Sequence, residues 1–313
     1  MGIFVLLSAC TDKKTGIPEN DILVAAYLPH WGIDNADMTV LPYLDHLYYF
    51  SIAPDQQGEF FIPEGMTEDI ELIKTYTEGT ETLLFLVLGG WYESETIFTM
   101  FEDPALRQDY VDSLTGFCLD NGINGVDLDW ESYPLTVRPQ DHSVLINMLS
   151  QSLRANGLLF SIAMAPSNAT FSASVSNLVD YINVMSYGFF DDEGNQVPLW
   201  MFKDYTNLHL DAGIPRDKLI MGVPFYAKRP YAEGDDSPRT YTYASIVNMA
   251  YPPPASNNYG RYSFNGRYLI KDKTSFLIEN SIGGIMVWEL SQDVDLSSPY
   301  SLMDAILKET GRK

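Results

Sequence analysis

Eight β-rich apolar runs recur along the chain, and helix-like stretches lie between them. The runs are 22–30 (ILVAAYLPH), 46–53 (HLYYFSIA), 82–88 (TLLFLVL), 123–130 (INGVDLDW), 158–165 (LLFSIAMA), 181–187 (YINVMSY), 218–225 (KLIMGVPF) and 283–289 (GGIMVWE). Near-continuous apolar strands imply burial on both faces, hence a parallel sheet covered by helices. The helical pattern at 104–120 closes on Asn121-Gly122 and that at 140–156 on Gly157, both good C-caps. Eight such units in about 290 residues predict an α/β chain folded as a closed (β/α)8 TIM barrel. A doubly wound open sheet is the competitor, but no G-x-G-x-x-G follows the first run and no P-loop sequence is present.

The barrel is expected to occupy 21–313 as one unit. Its longest connection separates the seventh and eighth strands and contains RYSFNGRYLI, whose Asn265-Gly266 reads as a type I′ hairpin turn. A small β-insertion at about 231–270, followed by a last barrel helix at KDKTSFLIEN, accounts for the span.

The fourth run carries the chemistry. In NGVDLDWE, residues 124–131, acids stand at every second position. Successive strand side chains point to opposite faces, so Gly125, Asp127, Asp129 and Glu131 share one face and Val126, Leu128 and Trp130 the other. The apolar set suits the layer beneath the helices, and the acidic set then points into the barrel, with Glu131 at the C-terminal mouth where barrel active sites lie. Neighbours on this face are about 7 Å apart. Three anions that close in a protected site do not all ionise cheaply, so at least one pKa should rise. A neutral acid backed by an ionised neighbour is what acid-assisted cleavage of an acetal requires. Two other readings compete: carboxylates held structurally by Arg or backbone N–H groups, and a divalent-metal site. Metal sites of that kind draw ligands from several strands and often include His, whereas His30, His46, His142 and His209 show no ligand spacing.

GVDLDWE resembles the D-G-x-D-x-D-x-E motif of glycoside hydrolase family 18, the chitinases, endo-β-N-acetylglucosaminidases and their inactive relatives, in all but the first position. YLPHW resembles that family's first strand, LVLGGW its third, VMSYG its sixth, GVPFYAK its seventh and GGIMVWEL its eighth, so the likeness covers about 22–293. The resemblance implies hydrolysis of β-1,4 linkages of N-acetylglucosamine glycans, with chitin or chitooligosaccharide as the default substrate, by a substrate-assisted retaining mechanism. Glu131 would protonate the glycosidic oxygen and later activate water. Asp129 would orient the acetamido N–H, Asp127 would lie beneath it and share a proton with it, and Tyr187, inward with Met185, would hold the acetamido oxygen. Neither a metal nor an organic cofactor is implied. Endo-cleavage of the N-glycan chitobiose core and a catalytically inactive glycan-binding protein remain as alternatives.

Three positions depart from the family pattern. Asn124 replaces the motif's first Asp, off the acidic face, so a structural effect is expected. Val87 replaces a third-strand Ser, which should leave Asp127 drier and more dependent on Asp129. Gly188 replaces the Asp after the sixth-strand Tyr, which puts subsite preference in question. Aromatic residues fit a sugar polymer, because pyranose C–H faces pack on indole. Trp31, Trp91 and Trp288 fall at C-terminal strand ends and Trp200 in the loop after strand six; Trp130 is expected in the core. Trp288 matches the family position that floors the cleavage subsite. Tyr226 is a further candidate, with Tyr92 and Phe189 behind it.

Nineteen Lys and Arg against 42 Asp and Glu give a net charge of −23, a field that repels nucleic acid and anionic lipid and is indifferent to a neutral sugar polymer. The first residues, MGIFVLLSAC, end in a Leu-Ser-Ala-Cys that resembles the lipobox of bacterial lipoproteins, with Cys10 as the lipidated residue and the polar stretch up to residue 20 as a tether; the positively charged start of a signal peptide is missing. A monomer at the bacterial cell envelope or surface, on the membrane only through that anchor, is the expectation.

Overall fold

The computed structural model describes residues 22–91, 94–131, 139–234 and 237–313; the expected tether with Cys10, and Tyr92, lie outside the described residues. The first seven strands are β1 (Leu23–Pro29), β2 (His46–Ile52), β3 (Leu83–Gly89), β4 (Gly125–Asp129), β5 (Leu159–Met164), β6 (Tyr181–Val184) and β7 (Leu219–Pro224). Then come β8 (Tyr226–Lys228), β9 (Thr240–Thr242), β10 (Asn258–Tyr259), β11 (Tyr262–Ser263) and β12 (Gly284–Trp288). Eight of these close a parallel barrel in the order β1-β12-β7-β6-β5-β4-β3-β2, with helices around it. The eight apolar runs are thus the eight barrel strands, although β6 stops at Val184, short of the expected 187.

Alternation along the strands sorts the core into two layers. Leu84, Leu86, Leu88, Val126 and Leu128 belong to the outer layer, with Val111 and Leu114 of helix Pro104–Asp120 and Leu145 and Leu149 of helix Pro139–Ala155. Each such buried side chain contributes about 1.5–3 kcal/mol. The axis is filled mainly by Tyr27, Tyr48, Phe85, Val87, Ile220 and Met286. Tyr27 stacks on Tyr48 at 4.8 Å, and Tyr48 meets Phe85 at 5.0 Å. Gly125, in register with Phe85, makes that layer possible: a Cβ there would stand 2.5 Å from the Phe85 ring. Among the described residues no helix is long and apolar enough to cross a membrane.

The insertion after β7 differs in detail from the sequence expectation. It starts at Tyr226 rather than about 231, and its antiparallel sheet runs β10-β11-β8-β9. Asn265-Gly266 is not a hairpin turn. The hairpin lies earlier, pairing Asn258 with Ser263 and Tyr259 with Tyr262, and Gly266 in an extended conformation caps helix Arg267–Glu279. The reason is tertiary. The buried Asn265 side chain donates to the Gln196 carbonyl at 2.8 Å and accepts from Lys273 Nζ at 2.5 Å, so its amide pins the insertion to the barrel instead of serving a local turn.

Candidate active site

The β4 backbone sets the acid line. Asp127 and Asp129 are buried on the axial side, and Glu131, two residues past the strand's end, is half-buried at the mouth. Trp130 turns to the helix side, packed on Phe98, Phe101 and His142 at 5.2–5.3 Å, which is the expected core role. The two glycines of LVLGGW hold the end of β3 against this point. Gly90 N–H donates to the Asp129 carbonyl at 2.6 Å, and at Gly89, with φ +104°, a Cβ would fall 2.5 Å from that same oxygen. A side chain there would push the two strand ends apart.

Asp127 sits on a three-donor platform. Tyr27 Oη donates to Oδ2 at 2.7 Å, while Ser161 Oγ and Asn183 Nδ2 donate to Oδ1 at 2.5 and 3.0 Å. Asn183 Nδ2 also reaches Tyr27 Oη at 3.2 Å. Burial pushes the Asp127 carboxyl up to about 6, against the three hydrogen bonds, which favour its charged form. Asp127 is as dry as the replacement of a hydroxyl by Val87 leads one to expect, but the expected dependence on Asp129 is corrected. Val87 is apolar filling, as its sequence implies, but β1, β5 and β6 supply the donors that β3 lacks. Asp127 is in register with Ser161, which explains why that hydroxyl is the closest donor.

Tyr187 and Met185 both join the axial cluster above this platform, with Trp288 beside them. Burial, then the charge of Asp129, raises the Tyr187 phenol well above its ordinary range, with smaller contributions from Tyr226, Glu131 and Asp127. The hydroxyl therefore stays protonated and available as a donor. Tyr226 meets Tyr187 edge-on at 6.4 Å, and burial followed by the Glu131 charge raises its phenol too. Gly222 on β7 makes room for Tyr187, since a Cβ there would stand 2.7 Å from its ring. Trp288, the last residue of β12, packs edge-on against Phe50 at 5.0 Å and on Tyr27 at 5.4 Å, so one indole connects the mouth to the Asp127 platform. Among the remaining candidates, Trp31 leans on Phe50 at 5.7 Å and is 53% exposed, and Trp91 is 60% exposed. Trp200, 56% exposed, stands in the first turn of helix Leu199–Asp211 rather than in a loop. Phe189 is exposed as well.

Asn124 has the structural part expected of it: its Oδ1 accepts from Leu84 N–H at 2.8 Å, off the acid line. Sequence reasoning missed Tyr27, Ser161 and Asn183. A signal was present for two of them, because Ser161 and Asn183 are polar residues inside apolar runs. Such groups, once buried, must find a partner. Among the described residues no group of three or more His, Cys, Asp or Glu is disposed to hold a metal ion.

A parallel eight-stranded barrel with a line of carboxyls at its C-terminal mouth, a buried phenol and a strand-end indole beside them fits the acid–base chemistry of a glycosidase. The family model described as glycosyl hydrolases family 18 matches residues 23–293, and the chain belongs to that family. Chitinase A1 of Niallia circulans is 26% identical over 303 residues, 73% of this chain and 43% of that protein. Chitinase 1 of Aphanocladium album is 23% identical over 282 residues, 72% of this chain and 65% of that one. The chain thus spans less than two thirds of the length of either relative. Among solved structures, the GH18 chitinase ChiB from the chitin utilization locus of Flavobacterium johnsoniae superposes with a TM-score of 0.80 at 22% identity, covering 93% of this chain and 94% of that one. At that identity the likeness concerns the fold.

Proposed function

We propose that this protein hydrolyses β-1,4 bonds of N-acetylglucosamine oligosaccharides and polymers, with chitooligosaccharide as the substrate class. The observation that carries the reading is the placement of Glu131: a half-buried carboxyl at the open end of the barrel, above the Asp127 platform and within the electrostatic reach of Tyr187 and Tyr226. Family membership supports it, as do the relatives, which are chitinases by name.

Glu131 gives its proton to the glycosidic oxygen, and the bond from that oxygen to the anomeric carbon breaks. The carbonyl oxygen of the sugar's own acetamido group attacks the same carbon, forming a cyclic oxazolinium ion and retaining the electron pair count. Tyr187, held protonated, donates to that carbonyl oxygen and fixes the attack geometry. Asp129 accepts the acetamido N–H and balances the cation with its charge. Water, deprotonated by the Glu131 carboxylate, then opens the ring, which restores the acid and gives retained stereochemistry. Asp127 acts through its neighbour. With a pKa of about 6 it changes charge near neutral pH beneath Asp129, so the charge stored under the site depends on pH.

The test is turnover of chitotetraose by Glu131→Gln, a change of nearly constant shape. A loss of roughly 10²–10⁴-fold is expected, the usual worth of a general acid. Turnover equal to that of the unaltered protein would overturn the assignment of Glu131. Tight chitotetraose binding by the unaltered protein with no cleavage would overturn the hydrolase reading itself.

A further inference from the structure

β6 ends at Val184, so Tyr187 stands beyond the barrel ladder and is placed by other contacts. On its N-terminal side, Ser186 Oγ donates to the Gly222 carbonyl of β7 at 2.8 Å. On its C-terminal side, the Gly188 N–H donates to Gln196 Oε1 at 3.0 Å, and Lys228 Nζ donates to the Gly188 carbonyl at 3.2 Å. The Gly188 N–H lies in one peptide plane with the Tyr187 carbonyl. Holding that plane fixes the direction in which the chain leaves Tyr187.

Gln196 holds a second tyrosine in the same way. Its Nε2 donates to the Tyr226 carbonyl at 3.3 Å and to the Ser263 carbonyl of β11 at 3.1 Å. One amide thus ties the peptide after Tyr187 to the peptide after Tyr226, whose rings meet edge-on at 6.4 Å. The amide oxygen faces an N–H and the amide nitrogen faces two carbonyls, so a flip would break all three bonds. The Gln196 backbone is held as well, its N–H by Ser263 Oγ and its carbonyl by Asn265 Nδ2, both at 2.8 Å. Val197, the next residue, is buried at φ +40°, a left-handed conformation that a β-branched side chain seldom adopts. The surrounding contacts therefore keep this segment in place against local strain. Gln196 is only 1% exposed, so it acts on a ligand through the groups it holds.

We propose that Gln196 is a positioning residue for the acetamido-assisted step, setting the Tyr187 phenol where the attacking carbonyl oxygen needs its donor. The inference rests on the hydrolase reading and adds to its mechanism a side chain that touches no reacting atom. A phenol displaced by about 1 Å still lets a sugar chain bind but spoils the attack geometry, a loss of up to about 100-fold in rate. That loss falls on kcat rather than on KM.

The experiment compares the unaltered protein with two variants. Gln196→Met keeps length and burial but forms none of the three bonds, and Gln196→Asn keeps the amide on a shorter stem. kcat and KM are measured on chitotetraose. Dissociation constants are measured by calorimetry in the Glu131→Gln background for two probes. One is chitotetraose; the other is a chitotriose whose reducing-end sugar carries a fused aminooxazoline ring, a stable mimic of the oxazolinium ion. Gln196→Met should lower kcat by roughly 10–100-fold with KM within about threefold. It should weaken the aminooxazoline probe by about tenfold while chitotetraose binding holds. Gln196→Asn should move kcat and the ratio of the two affinities in the same direction by less, and it decides the matter if Gln196→Met does not fold. A residue that merely stiffens the fold would lower the melting temperature and leave that ratio alone. Folded variants with kcat unchanged, or with both probes weakened equally, overturn the proposal. Absence of chitotetraose cleavage by the unaltered protein overturns the hydrolase reading instead, and the ratio of the two affinities still decides the role of Gln196.

Discussion

Two carboxyls in this molecule share a pKa of about 6 and have different surroundings. Asp127, on the barrel axis, accepts from three side chains on three different strands. Asp293, after β12, accepts from the backbone N–H groups of Val294, Leu302 and Met303 and from Ser301 Oγ, at 2.9–3.1 Å. Those donors belong to its own loop and to the start of helix Leu302–Glu309, whose orphan amides Asp293 satisfies. In both cases burial raises the pKa and hydrogen bonds restrain it. A raised carboxyl therefore does not identify a functional one; the kind of donor does. Backbone amides at a helix start are fixed by the fold. Side-chain donors converging beneath an open mouth form a network that the site can use.

The largest effect tests what the two share. Each folded pKa stands above the ordinary 3.8, so between about pH 4 and pH 6 the unfolded chain has released a proton that the folded chain keeps. Raising the pH through that window withdraws stability, and lowering it restores stability. For Asp127 the shift corresponds to about 3 kcal/mol, and less is expected for Asp293, part of whose surface reaches water. Self-repulsion among 42 acids against 19 bases acts with the same sign. Asp304, held at about 2 by Lys308, Arg267 and Lys313 despite its burial, opposes the trend only below pH 4. Buried His46, His142 and His209 act the other way below about pH 6.5, because burial lowers their folded pKa values, to about 3 for His46 and His142. The test is therefore a difference: the melting temperature of the unaltered protein relative to Asp127→Asn or Asp293→Asn should fall as pH rises from about 4 to about 7. A difference that stays constant over that range would show that neither carboxyl is strained as described.

The second effect separates the two. Asp127→Asn keeps the shape and removes the charge beneath Asp129. Loss of charge-assisted hydrogen bonding worth about 1.5–3 kcal/mol, felt in the transition state, lowers kcat/KM by roughly 10–100-fold. Asp293→Ala leaves the amides of Leu302 and Met303 unanswered and lowers unfolding free energy by about 2 kcal/mol, with kcat/KM changed by less than about twofold. Steady-state kinetics and chemical denaturation of both variants check the pair. Equal activity losses would erase the distinction.

Legibility in the sequence divides along the same line. Repeated apolar runs exposed the barrel, and the alternation in NGVDLDWE exposed the acid line, because both depend on local periodicity. The platform under Asp127 depends on register. Tyr27, Ser161 and Asn183 are dispersed along the chain and meet only when β1, β5 and β6 are wound into one closed sheet. Asn265-Gly266 misled for a related reason: its turn propensity is local, but the Asn265 amide is claimed by Gln196 and Lys273. The Gly188 departure was visible as a missing acid, and the hydrogen bond from Lys228 Nζ to its carbonyl was not.

The smallest effect probes a single donor of the platform. Ser161 Oγ donates to Asp127 Oδ1, and such a bond favours the charged carboxylate. Ser161→Ala removes it, so the Asp127 pKa moves upward from about 6, by on the order of one unit for a bond worth about 1–1.5 kcal/mol. The acid limb of the kcat/KM profile should then move to higher pH, with the plateau at alkaline pH little changed. A merely structural hydroxyl would lower the whole profile without displacing it. An acid limb that stays in place would mean that the pH dependence belongs to another group, and the platform would then hold Asp127 in position without setting its charge.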